Sequence, residues 1–176
     1  MIRDVILPWA IGDERLGPPG AEDVLEVGPG YGATTDVLSA SLAKLTSVEI
    51  DDDLFAYLTD RFAGVSAVQI VHADATALDC PDGRFTGAAC FTMLHHVEPA
   101  ERQDQLFAEI NRVLKQGAVL VASDSLASEP LADMHHSDTY NPVDPATLEA
   151  RLTEAGFTDI EVKTNPFGWA AVARKA

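Results

Sequence analysis

Residues 23–32 read Asp-Val-Leu-Glu-Val-Gly-Pro-Gly-Tyr-Gly, and this stretch decides the fold. Its first half, Asp23 to Val27, is a short and largely apolar run with β-branched residues, which predicts a strand. Glycines follow at once, and Ala33 opens a segment with helical spacing. Glycine lets the backbone turn sharply and approach a ligand, and the free N–H groups at a helix start face that ligand. The stretch therefore predicts a nucleotide-binding turn.

The glycine turn alone does not identify the ligand. Gly28, Gly30 and Ala33 also fit the dinucleotide fingerprint of oxidoreductases, and Glu49 lies roughly where that fingerprint expects an acid. A nicotinamide oxidoreductase is therefore one interpretation, and the rest of the chain has to decide.

Composition limits the class of protein. The chain has 176 residues, of which 47% are hydrophobic, enough for one domain with a real core, 1–176, without internal repeats or a linker. Twelve Lys and Arg against 28 Asp and Glu give a net charge of −16. Such a surface repels phosphate backbones and anionic membranes, so we expect neither a nucleic acid nor a membrane as partner.

The cysteines and the absence of long apolar runs bear on the compartment. Cys80 and Cys90 are isolated in a chain of this size, which indicates no disulfide framework and a reducing environment. No signal peptide is visible at the start, and no apolar run is long enough to span a membrane. We therefore expect a cytoplasmic protein; its oligomeric state stays open.

Five strand–helix units are predicted before a terminal pair of strands. The four residues 165–168 can connect only antiparallel neighbours. This order predicts an α/β fold: a Rossmann-like doubly wound sheet, mostly parallel with one antiparallel C-terminal strand, and helices on both faces. The predicted strands are 23–27, 46–50, 67–71, 87–91, 118–122, 158–164 and 169–173.

Two further segments are candidates for covering a ligand. Residues 1–20 are predicted to be an N-terminal cap containing a short amphipathic helix, which either packs on the domain edge or places Trp9 as a wall of the ligand mouth. Residues 125–144 form a long polar connection that is typical of a functional lid. That segment carries His135 and Tyr140, which with Trp9 are the candidate substrate-binding residues.

The ordered motifs resemble those of the class I S-adenosylmethionine-dependent methyltransferases, from about Asp23 to the end of the chain. The motifs are EVGPGYG at 26–32, VEID at 48–51, DA at 74–75 and LHHV at 94–97, with EINRVLKQG at 109–117 and LTEAGF at 152–157. Two departures, QGA at 116–118 for Pro-Gly-Gly and Phe-Thr at 85–86 for Phe-Asp, lie away from the expected cofactor site.

The resemblance implies a site for each part of S-adenosylmethionine. It places the methionyl amino group near Glu26 and the glycine backbone, the ribose hydroxyls on Glu49, and the adenine amino group on Asp74. Ile50 would pack on the adenine, the Ala75 N–H would face it, and the backbone of 91–92 would border the methionyl group. The implied cofactor-binding residues are Glu26, Gly28, Pro29, Gly30, Gly32, Glu49, Ile50, Asp74, Ala75, Phe91 and Thr92.

Histidines supply the candidates for catalysis. His95 and His96 lie where the methyl group is expected, and either is a candidate general base; the alternative is that each packs or caps the next helix. His135, His136 and Asp138 have no fixed ligand geometry in a polar segment, so the sequence predicts no metal site.

Together these observations predict an S-adenosylmethionine-dependent methyltransferase that acts on a small molecule by in-line methyl transfer. The alternative from another class is a non-catalytic S-adenosylmethionine-binding domain that acts as a partner or regulatory subunit. The oxidoreductase interpretation lacks support from Asp74-Ala75, from the reversed last strand, and from any tyrosine–lysine pair for hydride transfer.

Overall fold

The computed structural model describes residues 7–12, 15–136 and 138–176, and within them it contains a mixed sheet of seven strands. The predicted strands are all present, with small shifts of their ends. They are β1 (Asp23–Val27), β2 (Lys44–Glu49), β3 (Val68–His72), β4 (Phe85–Phe91), β5 (Leu114–Ser125), β6 (Phe157–Thr164) and β7 (Gly168–Lys175).

The strand order is β3-β2-β1-β4-β5-β7-β6. Strands β1 to β5 pair in parallel, whereas β7 is antiparallel to both β5 and β6. The predicted mostly parallel sheet with one reversed C-terminal strand is therefore confirmed. Because the chain winds outward from β1 in one direction and from β4 in the other, the sheet has its switch point between these two strands.

Six α-helices connect or flank the strands in the described ranges. Asp51 caps one of them, because its carboxylate accepts hydrogen bonds from the N–H groups of Asp53 and Leu54. Two short 3-10 helices, Leu94–His96 and Pro145–Thr147, also lie in the described ranges. The α-helices are α1 (Leu7–Ile11), α2 (Ala33–Ser39), α3 (Asp52–Phe62), α4 (Ala100–Val113), α5 (Glu129–Met134) and α6 (Leu148–Glu154).

The core lies on both faces of the sheet, as predicted. One apolar cluster packs Phe107 and Ile110 of α4 and Leu152 of α6 against the strands. The other includes Ala10 of α1 and Leu38 of α2. None of the helices in the described ranges is both long and apolar enough to cross a membrane.

Strand β5 begins earlier than the sequence predicts, at Leu114 instead of residue 118. Leu114 is fully buried and pairs with Phe85, after which the register shifts and Val119 pairs with Gly87. The intervening chain turns at Gly117, which has φ +75°. The polar residues 115–117 form an irregular part of the strand, and this is why the sequence predicts a strand only from residue 118.

Candidate cofactor and acceptor site

A cavity of about 710 Å³ opens at the carboxyl ends of β1 to β4, beside the switch point. This volume lies within the range of about 300–1,000 Å³ that is usual for small-molecule sites. Of the predicted site residues, the cavity is lined by Gly28, Gly30, Glu49, Ile50, Asp74, Ala75, Thr92 and His96. The predicted residues that do not line it are Trp9, Glu26, Pro29, Gly32, Phe91, His95, His135 and Tyr140.

The turn after β1 depends on glycine at two positions with different surroundings. Gly28 has φ +64°, and a Cβ there would lie 2.8 Å from the Cβ of Met93. Gly30 has φ +54° and faces open space, with nothing within 4 Å of an added Cβ. The first glycine therefore allows close packing against the loop after β4, whereas the second leaves its backbone accessible from the cavity.

Glu26 is a buried acid at the carboxyl end of β1, with 2% of its surface exposed. Its Oε2 accepts hydrogen bonds from Thr35 Oγ1 at 2.8 Å and Ser47 Oγ at 2.6 Å. Within the described part of the chain, its Oε1 has no hydrogen-bond partner. Burial raises the pKa of Glu26 to about 7, against the opposing effect of the two hydroxyls. One carboxylate oxygen of Glu26 is thus buried and unpaired within the described chain.

Glu49 and Ile50 end β2 at the cavity. Glu49 is 6% exposed, and its Oε1 accepts hydrogen bonds from the N–H groups of Ile50 at 2.9 Å and Asp51 at 3.1 Å. These bonds fix the carboxylate at the cavity wall. Ile50, by contrast, is 61% exposed. An exposed apolar side chain beside a fixed carboxylate suits a ligand with one flat apolar part and one part rich in hydroxyls.

Asp74 follows β3 and forms more contacts than the sequence predicts. Its Oδ1 accepts hydrogen bonds from the Thr76 N–H at 2.9 Å and the Thr76 hydroxyl at 2.7 Å, and its Oδ2 pairs with Arg102. Burial acts to raise the pKa of Asp74, but the Thr76 hydrogen bonds and the Arg102 guanidinium outweigh it, so the pKa lies below its usual value. Arg102, on α4, lines the same cavity and was missed in the sequence, where it looks like a surface helix residue.

The two predicted residues at the end of β4, Phe91 and Thr92, differ in their environments. Phe91 is buried among the core residues on one face of the sheet, so its side chain is not at the cavity. Thr92 lines the cavity with φ +55°, an uncommon conformation for a β-branched residue. Its N–H donates to the Ser123 carbonyl at 2.8 Å, which holds this strained turn beside β5.

His95 is buried and bound to Asp124 at the end of β5. The Asp124 carboxylate accepts from the His95 backbone N–H at 3.0 Å and lies 2.7 Å from His95 Nδ1. A proton on Nδ1 completes this contact, because a carboxylate oxygen is an acceptor, and Nε2 is then the nitrogen that can meet another partner. Asp124 was missed as a site residue, although its place just before the carboxyl end of a central strand was a signal that it faces the site.

His96 is exposed, lines the cavity, and has its Nδ1 3.3 Å from Asp138 Oδ2. Partial burial and the nearby His95 lower the pKa of His96, against the opposing effect of Asp138. Of the two histidines that the sequence could not separate, His96 is the one that reaches the cavity.

The connection between β5 and α6 brings a third histidine to these two. The ring of His135 lies 5.0 Å from that of His95 and 5.1 Å from that of His96, and Tyr140 stacks on it at 5.1 Å. We call His95, His96 and His135 the histidine cluster. His136, its neighbour in sequence, places Nδ1 3.1 Å from the Asp133 carbonyl instead.

Trp9 does not line the cavity. Helix α1 packs against β5 and β7, and Lys163 Nζ is 5.8 Å from the centre of the Trp9 ring. Of the predicted cap, residues 1–6 and 13–14 lie outside the described ranges. A role of Trp9 as a wall of the acceptor pocket stays a prediction, and the position of α1 favours the alternative of a helix packed on the sheet.

Gln103 of α4 joins the loop after β4 to the connection after β5. Its Nε2 donates to the carbonyls of Leu94 and Asn141, both at 2.9 Å, and lies 3.2 Å from that of Val97. Arg151 donates to Gln103 Oε1 at 3.0 Å, which fixes the orientation of the amide. This buried side chain therefore positions both segments that carry the histidine cluster.

Gln103→Leu is expected to lower the free energy of unfolding by about 1–3 kcal/mol, because the carbonyls it satisfies lose their buried donor. Urea unfolding measures the change. Gln105→Leu, on the exposed side of the same helix, is the control and should have little effect. Equal free energies of unfolding for the two variants would show that water satisfies the carbonyls in place of the Gln103 amide without loss of stability.

Comparison with known proteins identifies the family of the chain. A family model described as "Methyltransferase domain" matches residues 25–122. A demethylmenaquinone methyltransferase of Clavibacter sepedonicus is 31% identical over 115 residues, which cover 64% of this chain and 45% of that protein. A ribosomal RNA small subunit methyltransferase A of Methylococcus capsulatus is 42% identical over 64 residues, 36% of this chain and 25% of that protein.

Among solved structures, phosphoethanolamine N-methyltransferase 2 of Haemonchus contortus in complex with S-adenosyl-L-methionine superposes with a TM-score of 0.78. It is 16% identical, and the match covers 97% of this chain and 51% of that one. This likeness shows the fold.

The chain spans less than half of the length of the two curated relatives described above. Because the family model covers more than half of the chain, the protein belongs to the class I S-adenosylmethionine-dependent methyltransferase family.

Proposed function

We propose that the protein transfers the methyl group of S-adenosylmethionine to a neutral or cationic small molecule. The observation that supports this most strongly is Glu26, a buried acid beside the glycine turn with one oxygen that lacks a partner in the described chain. A buried carboxylate in this state is costly unless a cation binds it. The amino group of the cofactor supplies such a cation.

The residues of the cavity fit the remaining parts of the cofactor. We assign the ribose hydroxyls to Glu49, whose carboxylate is already fixed by backbone N–H groups. The adenine is assigned to Ile50, Asp74 and the Ala75 N–H, with Arg102 holding Asp74 in place. The bound cofactor supplies an electrophilic methyl group on a sulfonium, and the protein has to align the acceptor and exclude water.

The acceptor is assigned to the part of the cavity lined by His96. Asp138 and Thr139 also line the cavity, so the connection 125–144 contributes to its wall, and we propose that it acts as a lid.

Two cysteines without a disulfide, Cys80 and Cys90, support a reducing, cytoplasmic compartment.

Charge supports a small molecule over RNA as the acceptor. The net charge of −16 opposes binding of a phosphate backbone. An acceptor without negative charge meets no such barrier at a cavity lined by Glu49, Asp74 and Asp138.

Titration calorimetry with S-adenosylmethionine and with NAD tests the assignment of the cofactor. S-adenosylmethionine is expected to bind and NAD is not. Glu49→Ala should weaken binding by about 1.5–3 kcal/mol, the range for hydrogen bonds to a charged group. Glu49→Gln keeps one acceptor oxygen and should lose less. Binding of NAD alone, or an unchanged dissociation constant for Glu49→Ala, would contradict the proposal or its ribose assignment, respectively.

A further inference from the structure

We propose that the histidine cluster, His95, His96 and His135, binds one divalent metal ion of the zinc type beside the acceptor end of the cavity, which His96 lines. One ligand atom from each of the three residues lies within 4.8 Å of those of the other two. The His95 and His96 rings are 4.1 Å apart, and both are about equally far from His135. The inference concerns metal binding by this chain and does not depend on methyl transfer.

The contacts of two of the rings occupy one nitrogen each. His95 Nδ1 is bound to Asp124, and His135 Nδ1 lies 2.7 Å from the Leu131 carbonyl, which can only accept. An imidazole that donates from Nδ1 to such an acceptor binds a metal ion through Nε2. Metal-binding histidines almost always bind an oxygen acceptor through the second nitrogen, because it fixes the ring and raises its basicity. The pairs Asp124–His95 and Leu131–His135 have this arrangement.

Charge provides a second argument. The Asp124 side chain is only 1% exposed, and its ion-pair partner in the described chain is His95. Positive charge on or beyond the imidazole ring stabilises a buried carboxylate that is paired with it. A divalent ion on His95 Nε2 places positive charge on the far side of the same ring. Asp138, beside His96, adds a second negative group near the ion.

The kind of ligand atom determines which metal ions this site favours. Imidazole nitrogens favour zinc, copper, nickel and cobalt over magnesium and calcium, which prefer oxygen ligands. Nitrogen ligands of a tetrahedral zinc ion lie about 3.4 Å apart, given bonds of about 2.0–2.1 Å. The three ligand atoms, which lie within 4.8 Å of one another, would therefore have to move closer together when an ion binds. Three protein ligands leave a fourth position open, as in catalytic zinc sites, for water or an acceptor oxygen.

An ion at this place joins two separate parts of the chain. His95 and His96 lie on the 3-10 helix after β4, whereas His135 follows α5 in the connection 125–144. The Asn141 N–H already donates to the His95 carbonyl at 2.7 Å, so the two segments are in contact at a second point. The metal would therefore fasten the proposed lid to the loop that lines the acceptor end of the cavity.

Metal binding is tested on the full chain after removal of bound metal with EDTA. Zn²⁺ is expected to bind one ion per chain by calorimetry and to raise the thermal midpoint, since a ligand of the folded state stabilises it. Co²⁺ should give the visible absorption bands of a tetrahedral site. His96→Ala and His135→Ala should each weaken Zn²⁺ binding by more than about 100-fold. Removal of a group that only hydrogen-bonds to a metal ligand costs less than this, about 10- to 100-fold.

His136→Ala is the matched control, because His136 is adjacent in sequence but bound to the Asp133 carbonyl outside the cluster. It should keep the wild-type affinity for Zn²⁺. The proposal is overturned if His135→Ala binds Zn²⁺ as tightly as the wild type, or if His136→Ala loses as much affinity as His135→Ala. Because His96 is exposed, its variant tests the site even if His135→Ala does not fold. None of these measurements needs S-adenosylmethionine or an acceptor.

Discussion

Glutamine in place of Glu26 is expected to stabilise the free protein at pH 8, by at most about 3 kcal/mol, and to leave its stability at pH 4 little changed. The reason is the burial of this acid, which raises its pKa from the ordinary 4.5 to about 7 in the folded protein. That difference in pKa corresponds to a loss of about 3 kcal/mol in the free energy of unfolding when the acid is ionised. A glutamine keeps an oxygen for Thr35 and Ser47 but carries no charge.

The sign follows from the direction of the pKa change. Between pH 4.5 and about 7, the folded wild type binds more protons at Glu26 than the unfolded chain does. Stability from this residue is therefore fully present below pH 4.5 and is lost as the pH rises through about 7. The glutamine variant does not titrate here, so the two proteins should diverge across this window. Urea unfolding at pH 4, 6 and 8 measures the divergence.

The same substitution is expected to weaken S-adenosylmethionine binding by about 10- to 150-fold, equal to about 1.5–3 kcal/mol for a hydrogen bond between charged groups. In the wild type, the amino group of the cofactor favours the ionised form of Glu26. Binding at pH 6 should therefore release a proton, which calorimetry in buffers of different ionisation enthalpy detects. The glutamine variant should lack this release.

Glu154→Gln, on the exposed surface of α6, is the control for both measurements. It should change neither the pH dependence of unfolding nor the affinity for the cofactor. If Glu26→Gln binds S-adenosylmethionine as tightly as the wild type, the amino group lies elsewhere. If it is no more stable at pH 8, the unpaired Oε1 is hydrated in solution and the ionised acid costs little.

The sequence predicted the sheet well, because strand order follows from local patterns and from short connections. Residues 165–168 were enough to reverse β7, and the motifs placed Glu49 and Asp74 at the ends of β2 and β3. Contacts between distant residues were not predictable in this way. The pairs Asp74–Arg102 and His95–Asp124 join different elements, and each depends on how a helix or strand packs beside its neighbour.

The histidines show the same limit at a finer scale. From the sequence, His135, His136 and Asp138 looked like one group without fixed geometry, and no metal site was predicted. The structure instead separates His135 from His136, because α5 ends at Met134 and the turn that follows directs the two rings to different carbonyls, those of Leu131 and Asp133. His135 then meets His95 and His96, about forty residues earlier in the chain. A grouping of this kind is visible only once the connection 125–144 is folded.

His96→Ala is expected to lower the rate of methyl transfer by about 10²–10⁴-fold, the usual contribution of a group that activates a proton-bearing nucleophile. The affinity for S-adenosylmethionine should change little, because Glu26, Glu49 and Asp74 are assigned to the cofactor and His96 to the acceptor. The acceptor is first found by screening neutral and cationic phenols, amines and thiols with methyl-labelled S-adenosylmethionine. Single-turnover rates and calorimetry on the variant then separate the chemical step from cofactor binding.

Chelation separates the two ways in which His96 can act. If His96 is a ligand of the proposed ion, EDTA should lower the wild-type rate towards that of His96→Ala and leave the variant unaffected, and added Zn²⁺ should restore the wild type alone. If His96 is a free base, EDTA should change the rate of neither protein. The rate of the wild type should then decrease at pH values below the pKa of His96, which lies under its ordinary value of 6.5. His136→Ala, whose ring is outside the histidine cluster, should keep the full rate in both cases. A His96→Ala variant as fast as the wild type would show that the acceptor binds elsewhere in the cavity and that this histidine only packs beside His95.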